Sequence, residues 1–120
     1  MLDTLADPSV VCPDSNHCPV EVTLSVIGGR WKALVIYHLR HGTRRFNELR
    51  RLVPGVTQRM LTKQLRELEA DGVVGRLVHP VVPPRVDYSL TDLGRTLLPI
   101  LDAMAAWGGA HEGGPRTGRV

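Results

Sequence analysis

The sequence is poor in cysteine and has no long apolar run. Its two cysteines, Cys12 and Cys18, are too few for a disulfide framework or a four-thiolate zinc site, so the fold depends on its own apolar core. No apolar segment approaches the roughly 20 residues that cross a bilayer. Residues 1–11 hold no Lys or Arg, whereas a secretory signal begins with basic residues. We therefore expect a single cytoplasmic domain in this chain of 120 residues.

Aromatic residues and catalytic motifs are also scarce. Two Trp, two Tyr and one Phe are few for a protein that stacks the bases of single-stranded RNA. No P-loop, dinucleotide fingerprint or Ser-His-Asp arrangement can be assembled, and the histidines lack a carboxylate or nucleophile at a recognisable spacing. Cys12, His17 and Cys18 are not accompanied by an evident fourth metal ligand. We expect no enzymatic activity, no cofactor and no metal.

Positive charge is concentrated in one third of the chain. Residues 30–66 contain ten bases and one acid, a net charge of +9, whereas residues 1–29 carry −4 and residues 67–120 carry −2. Such a cationic block favours a polyanion through counterion release. A solvated helical face is the simpler explanation of a basic segment, and the placement of the charges within the helices decides between the two.

Two helices are predicted before residue 42. Pro19 suits the first turn of a helix with Cys18 at its N-cap, and Gly28 ends that helix. The apolar residues from Trp31 to Leu39 predict a second, largely buried helix. Neither helix has the features of a site.

A pair of helices with a short turn follows. Phe46, Leu49 and Leu52 recur at helical spacing and predict a third helix, which a Pro-Gly pair at residues 54–55 ends. Thr57 then suits the N-cap of a fourth helix. This order predicts a helix-turn-helix.

The fourth helix, predicted over residues 58–71, has two unlike sides. Leu61, Leu65 and Leu68 recur at i, i+4 and i+7 and define the buried side. The opposite side, which we call the donor face, carries hydrogen-bond donors and no acid: Gln58, Arg59, Thr62, Lys63 and Arg66. Charges that serve only solubility would mix signs, with Glu and Lys paired at i, i+4. The donor face is therefore the predicted DNA-reading surface, with Thr57 at its start.

The remaining segments predict a hairpin and a final helix. Residues 74–79 and 85–90 have strand character and are joined by a Pro-rich loop. Thr91 is expected to cap one long last helix that Pro99 kinks. This helix has more apolar positions than one side needs, so we expect a partner chain to cover the rest. The predicted dimer contacts are Leu97, Ile100, Leu101, Met104 and Trp107.

Together these elements predict a mainly α fold with a small β-hairpin wing, an α+β winged helix-turn-helix. In that motif the second helix enters the major groove by its N-terminal residues. Arg pairs bidentately with guanine and Gln with adenine, whereas Lys and Thr also reach phosphates. Further cations are expected on the DNA backbone (Arg44, Arg45, Arg50 and Arg51) and on the wing (Arg76, His79 and Arg85).

Five segments carry a resemblance to a known family. They begin with Cys-Pro-Val-Glu at residues 18–21, Ile-Gly-Gly-Arg-Trp-Lys at 27–32 and Arg-Phe-Asn-Glu-Leu at 45–49. They continue with Gln-Arg-Met-Leu-Thr-Lys-Gln-Leu-Arg-Glu-Leu-Glu-Ala-Asp-Gly at 58–72 and Pro-Pro-Arg-Val-Asp-Tyr-Ser-Leu-Thr at 83–91. Over residues 18–108 the chain resembles the HxlR-type bacterial transcription regulators, which are related in fold to the MarR regulators. The resemblance implies a homodimer, joined through its terminal helices, that places paired recognition helices on an inverted repeat of double-stranded DNA.

Some members of that family sense oxidants or electrophiles through the cysteine at the position of Cys18. A thiol at a helix N-cap feels the positive end of the helix dipole, which favours the thiolate. The carboxylate of Glu21 opposes this effect. Cys18 is therefore either a redox sensor, with Cys12 as a candidate resolving thiol, or a capping and packing residue.

The predicted organisation has three parts. Residues 1–17 form a flexible arm, residues 18–111 form the winged helix-turn-helix with its dimerisation helix, and residues 112–120 form a mobile tail. The resulting hypothesis is a sequence-specific, homodimeric DNA-binding regulator. The alternative is an interaction module whose basic face binds an acidic protein, and no small-molecule effector is indicated.

Overall fold

A computed structural model of the chain describes residues 18–112. The predictions for residues 1–17 and 113–120 lie outside that range. In chain order the described elements are α1 (Pro19–Ile27), α2 (Lys32–His38), β1 (Arg44–Arg45), α3 (Phe46–Leu52), α4 (Gln58–Ala70), β2 (Val74–His79), β3 (Arg85–Leu90), α5 (Asp92–Arg95) and α6 (Leu98–Ala110). No helix within residues 18–112 has the length and apolar character needed to span a membrane.

The predicted helix starts are confirmed. Cys18 is the N-cap of α1 and Pro19 lies in its first turn. Thr57 is the N-cap of α4, where its hydroxyl oxygen accepts a hydrogen bond of 3.1 Å from the amide of Met60. Between α3 and α4 the chain passes through Gly55 at φ +89°, a left-handed conformation that glycine adopts at little cost. The sequence pattern therefore predicts this turn correctly.

The core lies between α2, α3 and α4. Ile36 of α2, Leu39 at the C-cap of α2 and Leu49 of α3 are fully buried. Leu61, Leu65 and Leu68 of α4 are also buried, as their spacing predicts. Burial of each such side chain stabilises the fold by about 1.5–3 kcal/mol. The leucines thus fix the rotation of α4 and turn the donor face outward.

The sheet has three antiparallel strands in the order β1-β3-β2. The predicted hairpin is confirmed with its bounds, and its register runs from Val74 opposite Leu90 to His79 opposite Arg85. Strand β1 was not predicted from the sequence. In it, Arg44 pairs with Tyr88 and Arg45 with Asp87. The hairpin is therefore attached to the start of α3, which fixes the position of the wing beside the helix-turn-helix.

The C-terminal segment corrects the prediction of one kinked helix. Thr91 caps only the short α5, where its hydroxyl accepts a hydrogen bond of 3.0 Å from the amide of Gly94. A new helix, α6, begins at Leu98, so Pro99 lies in a first turn and removes no helical hydrogen bond. The prediction of a kink is wrong because α5 ends at Arg95, before Pro99.

Two of the residues predicted at the dimer interface belong to the chain's own core. Leu101 is buried, and Leu97 is partly buried against the same core. Ile100, Met104 and Trp107 are exposed on α6. In α2, the prediction of a largely buried helix fails at Leu34, which is exposed.

Candidate nucleic-acid interface

The donor face of α4 forms an open, shallow surface. Gln58, Arg59, Lys63 and Arg66 are exposed, and Thr62 is partly exposed. These five side chains line one surface depression together with Glu67. The structure therefore brings together all the donors that the leucine spacing assigned to one side of the helix.

The two threonines of this region have structural hydrogen bonds. The hydroxyl of Thr57 caps the helix, as described above. The hydroxyl of Thr62 donates a hydrogen bond of 2.9 Å to the carbonyl of Gln58, one turn earlier in the helix. With its proton used in this way, Thr62 is left with hydrogen-bond acceptor capacity. The donors that remain on the face are therefore Gln58 and the cations Arg59, Lys63 and Arg66.

Glu67 was not expected on the donor face. Its two carboxylate oxygens lie 3.0 Å from Nζ of Lys63 and 2.7 Å from Nζ of Lys32. Hydrogen bonds from Lys32 and then Lys63 lower the pKa of the Glu67 carboxyl below its usual value. The prediction of a face without i, i+4 charge pairs is therefore wrong at Lys63, since the acid one turn along folds back onto it.

The four arginines expected on the DNA backbone lie at different places on the surface. Arg45 and Arg51 line a groove between α3 and the wing loop at residues 81–84. Arg50 is exposed at the end of α3. Arg44 instead lines a cavity on another part of the surface, beside α2 and α6, with Tyr37, His38, Arg40, His41, Asp102 and Ala105. Alternation along β1 explains why neighbouring arginines point to opposite sides.

The cations of the wing are paired with carboxylates. Nε2 of His79 lies 2.8 Å from Oδ2 of Asp87, and Nε of Arg85 lies 3.5 Å from Oδ1 of the same residue. Nε of Arg76 lies 3.5 Å from Oε1 of Glu69 on α4. The wing therefore carries less free positive charge than its basic residues alone indicate. Alternation places Arg85 and Asp87 on the same side of β3, but it gave no signal for the partners of His79 and Arg76.

The surroundings of His38 displace its titration. Burial, and then repulsion by the nearby Arg44 guanidinium, lower the pKa of His38 below 6.5. These surroundings therefore favour the neutral form of the His38 imidazole. Of the two histidines in this cavity, His38 is partly buried and His41 is exposed.

Cys18 stands at the start of the exposed helix α1. It is disulfide-bonded in the structure, and its carbonyl accepts a hydrogen bond of 2.9 Å from the amide of Glu21. Cys12 lies outside the described residues. Within residues 18–112 no three His, Cys, Asp or Glu side chains are grouped to hold a metal ion.

A second, apolar surface lies away from the donor face. On α1, Val20 and Leu24 are more than half exposed, and on α6 Met104 is 50% and Trp107 59% exposed. An apolar groove between α2 and α6 is lined by Ala33, Leu34, Tyr37, Leu101, Met104 and Ala105. Apolar surface on this scale is typical of a protein-protein interface.

Comparison with known proteins gives consistent matches. Residues 26–114 match the HxlR-like helix-turn-helix family. The chain is 56% identical over 108 residues to YybR of Bacillus subtilis (strain 168), an HTH-type transcriptional regulator, covering 90% of this chain and 86% of YybR. It is 61% identical to the solved structure of the redox regulator HypR in its oxidised form, with a TM-score of 0.75, covering 78% of this chain and 96% of HypR. The reduced form of HypR gives 60% identity and a TM-score of 0.76, covering 78% and 93%.

These matches extend through the helix-turn-helix and the wing, and they are regulators rather than enzymes. The order of elements, the outward donor face and the hairpin are those of a winged helix-turn-helix. The chain belongs to the HxlR-like helix-turn-helix family of transcriptional regulators.

Proposed function

We propose that this regulator acts in the cytoplasm as a homodimer that binds an inverted repeat of double-stranded DNA. The observation that carries the proposal is the outward donor face of α4, which the buried leucines hold away from the core. In helix-turn-helix proteins this helix lies in the major groove, and its first residues reach the base edges. Gln58 and Arg59 occupy those first positions.

Base reading and phosphate binding are assigned to different side chains. Arg59 has the fork of donors that pairs with guanine, and Gln58 has the donor and acceptor that pair with adenine. Arg45 and Arg51 line the groove beside the wing loop and are placed to hold a flanking phosphate. Arg66, at the far end of the donor face, is a further phosphate contact.

The apolar surfaces of α1 and α6 support the homodimer. Val20, Leu24, Met104 and Trp107 are exposed in the single chain, and a second copy that packs on them would bury them. A two-fold dimer places its two recognition helices about one helical turn of DNA apart, which matches a palindromic operator.

Oxidation at Cys18 is the proposed signal. Cys18 caps α1, whose apolar residues belong to the proposed interface, and the similar protein HypR is a redox regulator with known oxidised and reduced forms. In the reduced protein, two thiols, Cys18 and Cys12 of the same or the partner chain, would each lose a proton and together give two electrons to an oxidant such as diamide. The new S–S bond would change how α1 packs in the dimer and so the spacing of the two recognition helices.

Selection of bound duplexes from a random-sequence pool tests the DNA-binding proposal. We expect enrichment of one inverted repeat whose half-sites lie about one helical turn apart. A protein that retains no duplex, or retains all duplexes equally, would instead support the alternative of an interaction module with an acidic partner.

The role of Cys18 is tested with its serine variant. Wild type and Cys18→Ser are first fully reduced, and their binding of the selected repeat is compared before and after a diamide pulse, with Cys12→Ser as the second arm. We expect the pulse to change binding by wild type and to leave Cys18→Ser unchanged. An equal change in both proteins would show that the response does not pass through this thiol.

A further inference from the structure

Glu67 links the donor face to the body of the domain. Lys63 projects from α4 one turn before Glu67 and is 68% exposed, while Lys32 belongs to α2 and is only 13% exposed. One carboxylate therefore bridges a surface cation and a largely buried cation. The ion pair between α4 and α2 crosses the helix packing that also holds the core together.

The two lysines differ in how easily they can release the carboxylate of Glu67. A cation as buried as Lys32 is costly to leave without a partner, so its bond to Oε1 of Glu67 is the fixed part of the arrangement. The exposed Lys63 is surrounded by water and exchanges partners at little cost. The bridge therefore keeps a carboxylate in place on the donor face, and Lys63 is the partner that can leave.

This arrangement affects how Lys63 meets a duplex. The 3.0 Å contact with Glu67 occupies one N–H donor of the Lys63 ammonium and offsets part of its charge, so Lys63 attracts a phosphate less strongly. Because Lys32 holds the carboxylate where it is, Glu67 stays beside Lys63 and continues to compete with the phosphate. The contribution of Lys63 to sequence-independent binding is reduced by this competition.

We propose that Glu67 is a positioning residue that restrains Lys63 and so limits the non-specific attraction of the donor face for DNA. This inference rests on the proposed function and concerns the sequence-independent DNA affinity of the same surface. Contacts from Gln58 and Arg59 to bases lie outside the restraint, so Glu67 weakens the attraction that all sequences share and leaves the base contacts unchanged.

A double-mutant cycle with a random-sequence duplex as the probe tests the inference. Wild type, Lys63→Met, Glu67→Gln and the double variant are compared by fluorescence anisotropy over a series of salt concentrations. Gln at position 67 keeps an oxygen that accepts from Lys32, and thermal melts confirm that each variant folds. Asp71→Asn is the matched control, because it removes one acid from the exposed end of the same helix.

We expect Glu67→Gln to bind the random duplex more tightly than Asp71→Asn does. In the Glu67→Gln protein, Lys63→Met should lower the salt slope by about 0.9, the value for one phosphate contact on B-DNA. In the wild-type protein the same change should lower it by clearly less. Operator affinity should gain by no more than random-duplex affinity does, because the base contacts of Gln58 and Arg59 are unchanged.

Two results would overturn the inference. Lys63→Met could lower the salt slope by the same amount with and without Glu67. Alternatively, Glu67→Gln could bind the random duplex no more tightly than Asp71→Asn does. Either result, obtained with a wild-type protein that binds DNA with a normal salt slope, rejects the restraint and leaves the proposed function intact. A wild-type protein that binds no duplex rejects the proposed function and this inference together.

Discussion

The guanidinium of Arg40 forms a two-pronged ion pair with the carboxylate of Asp102, a residue 62 positions further along the chain. The second prong joins Nη2 of Arg40 to Oδ2 of Asp102 at 3.2 Å, and the guanidinium also lies over the Tyr37 ring. The pair lowers the pKa of the Asp102 carboxyl. It connects the end of α2 with α6, the helix assigned to the dimer interface.

Asp102→Asn should loosen α6 without unfolding the domain. The neutral amide keeps the shape of the side chain but loses the charge-assisted bonds to Arg40. We expect amide hydrogen exchange to accelerate in α6 more than in α4. Equal exchange rates in the variant and wild type would show that the ion pair does not hold α6.

Thr57→Ala should destabilise the domain by about 1 kcal/mol, since the amide of Met60 loses its capping oxygen. Urea unfolding of the variant measures this loss. Thr57→Ser keeps the hydroxyl and serves as the control, and we expect it to unfold close to wild type. A Thr57→Ala protein as stable as the serine variant would mean that the cap contributes nothing.

His38 should titrate below pH 6.5 in the folded protein, because burial and the Arg44 charge both disfavour its protonated form. The unfolded chain then binds more protons, so the free energy of unfolding falls as the pH is lowered below 6.5, until the folded-state pKa is passed. An NMR titration of the ring gives the midpoint. Arg44→Gln should raise that midpoint, and an unchanged midpoint would contradict the assigned contribution of Arg44.

Met104→Glu should separate the proposed dimer. It places a charge on the apolar surface of α6, where a partner would have to desolvate it. Sedimentation at micromolar concentration should give a dimer for wild type and a monomer for the variant. Val82→Glu, on a wing residue that is 98% exposed, is the control and should remain a dimer. A monomeric wild type would contradict the proposed interface.

Local patterns in the sequence predict the elements that depend on local chemistry. The spacing of Leu61, Leu65 and Leu68 gives the helix and its buried side, and Thr57 gives its start. Alternation gives the second strand of the hairpin, and strand-forming residues give the first, both with their bounds. Each of these features depends on residues close together in the chain, so the sequence pattern alone is enough to predict it.

The features that the sequence did not reveal depend on distant partners. Strand β1 exists because Arg44 and Arg45 meet Tyr88 and Asp87, more than 40 residues away. Leu101 is apolar like its neighbours on α6, and only the packing of that helix shows which of them face the chain's own core. Glu67 is an exception, since its spacing from Lys63 is local. Its second partner, Lys32, is what holds it on the donor face.

The salt dependence of operator binding by wild type and Arg59→Ala tests the central claim most directly, namely that the donor face lies against a DNA duplex. We predict that Arg59→Ala weakens operator binding by about 1–3 kcal/mol and, where the guanidinium also neutralises a phosphate, lowers the salt slope by about 0.9. Arg95→Ala, the same change at an exposed arginine of α5 away from this face, should bind like wild type. Unchanged operator affinity and slope in a folded Arg59→Ala protein would contradict the account.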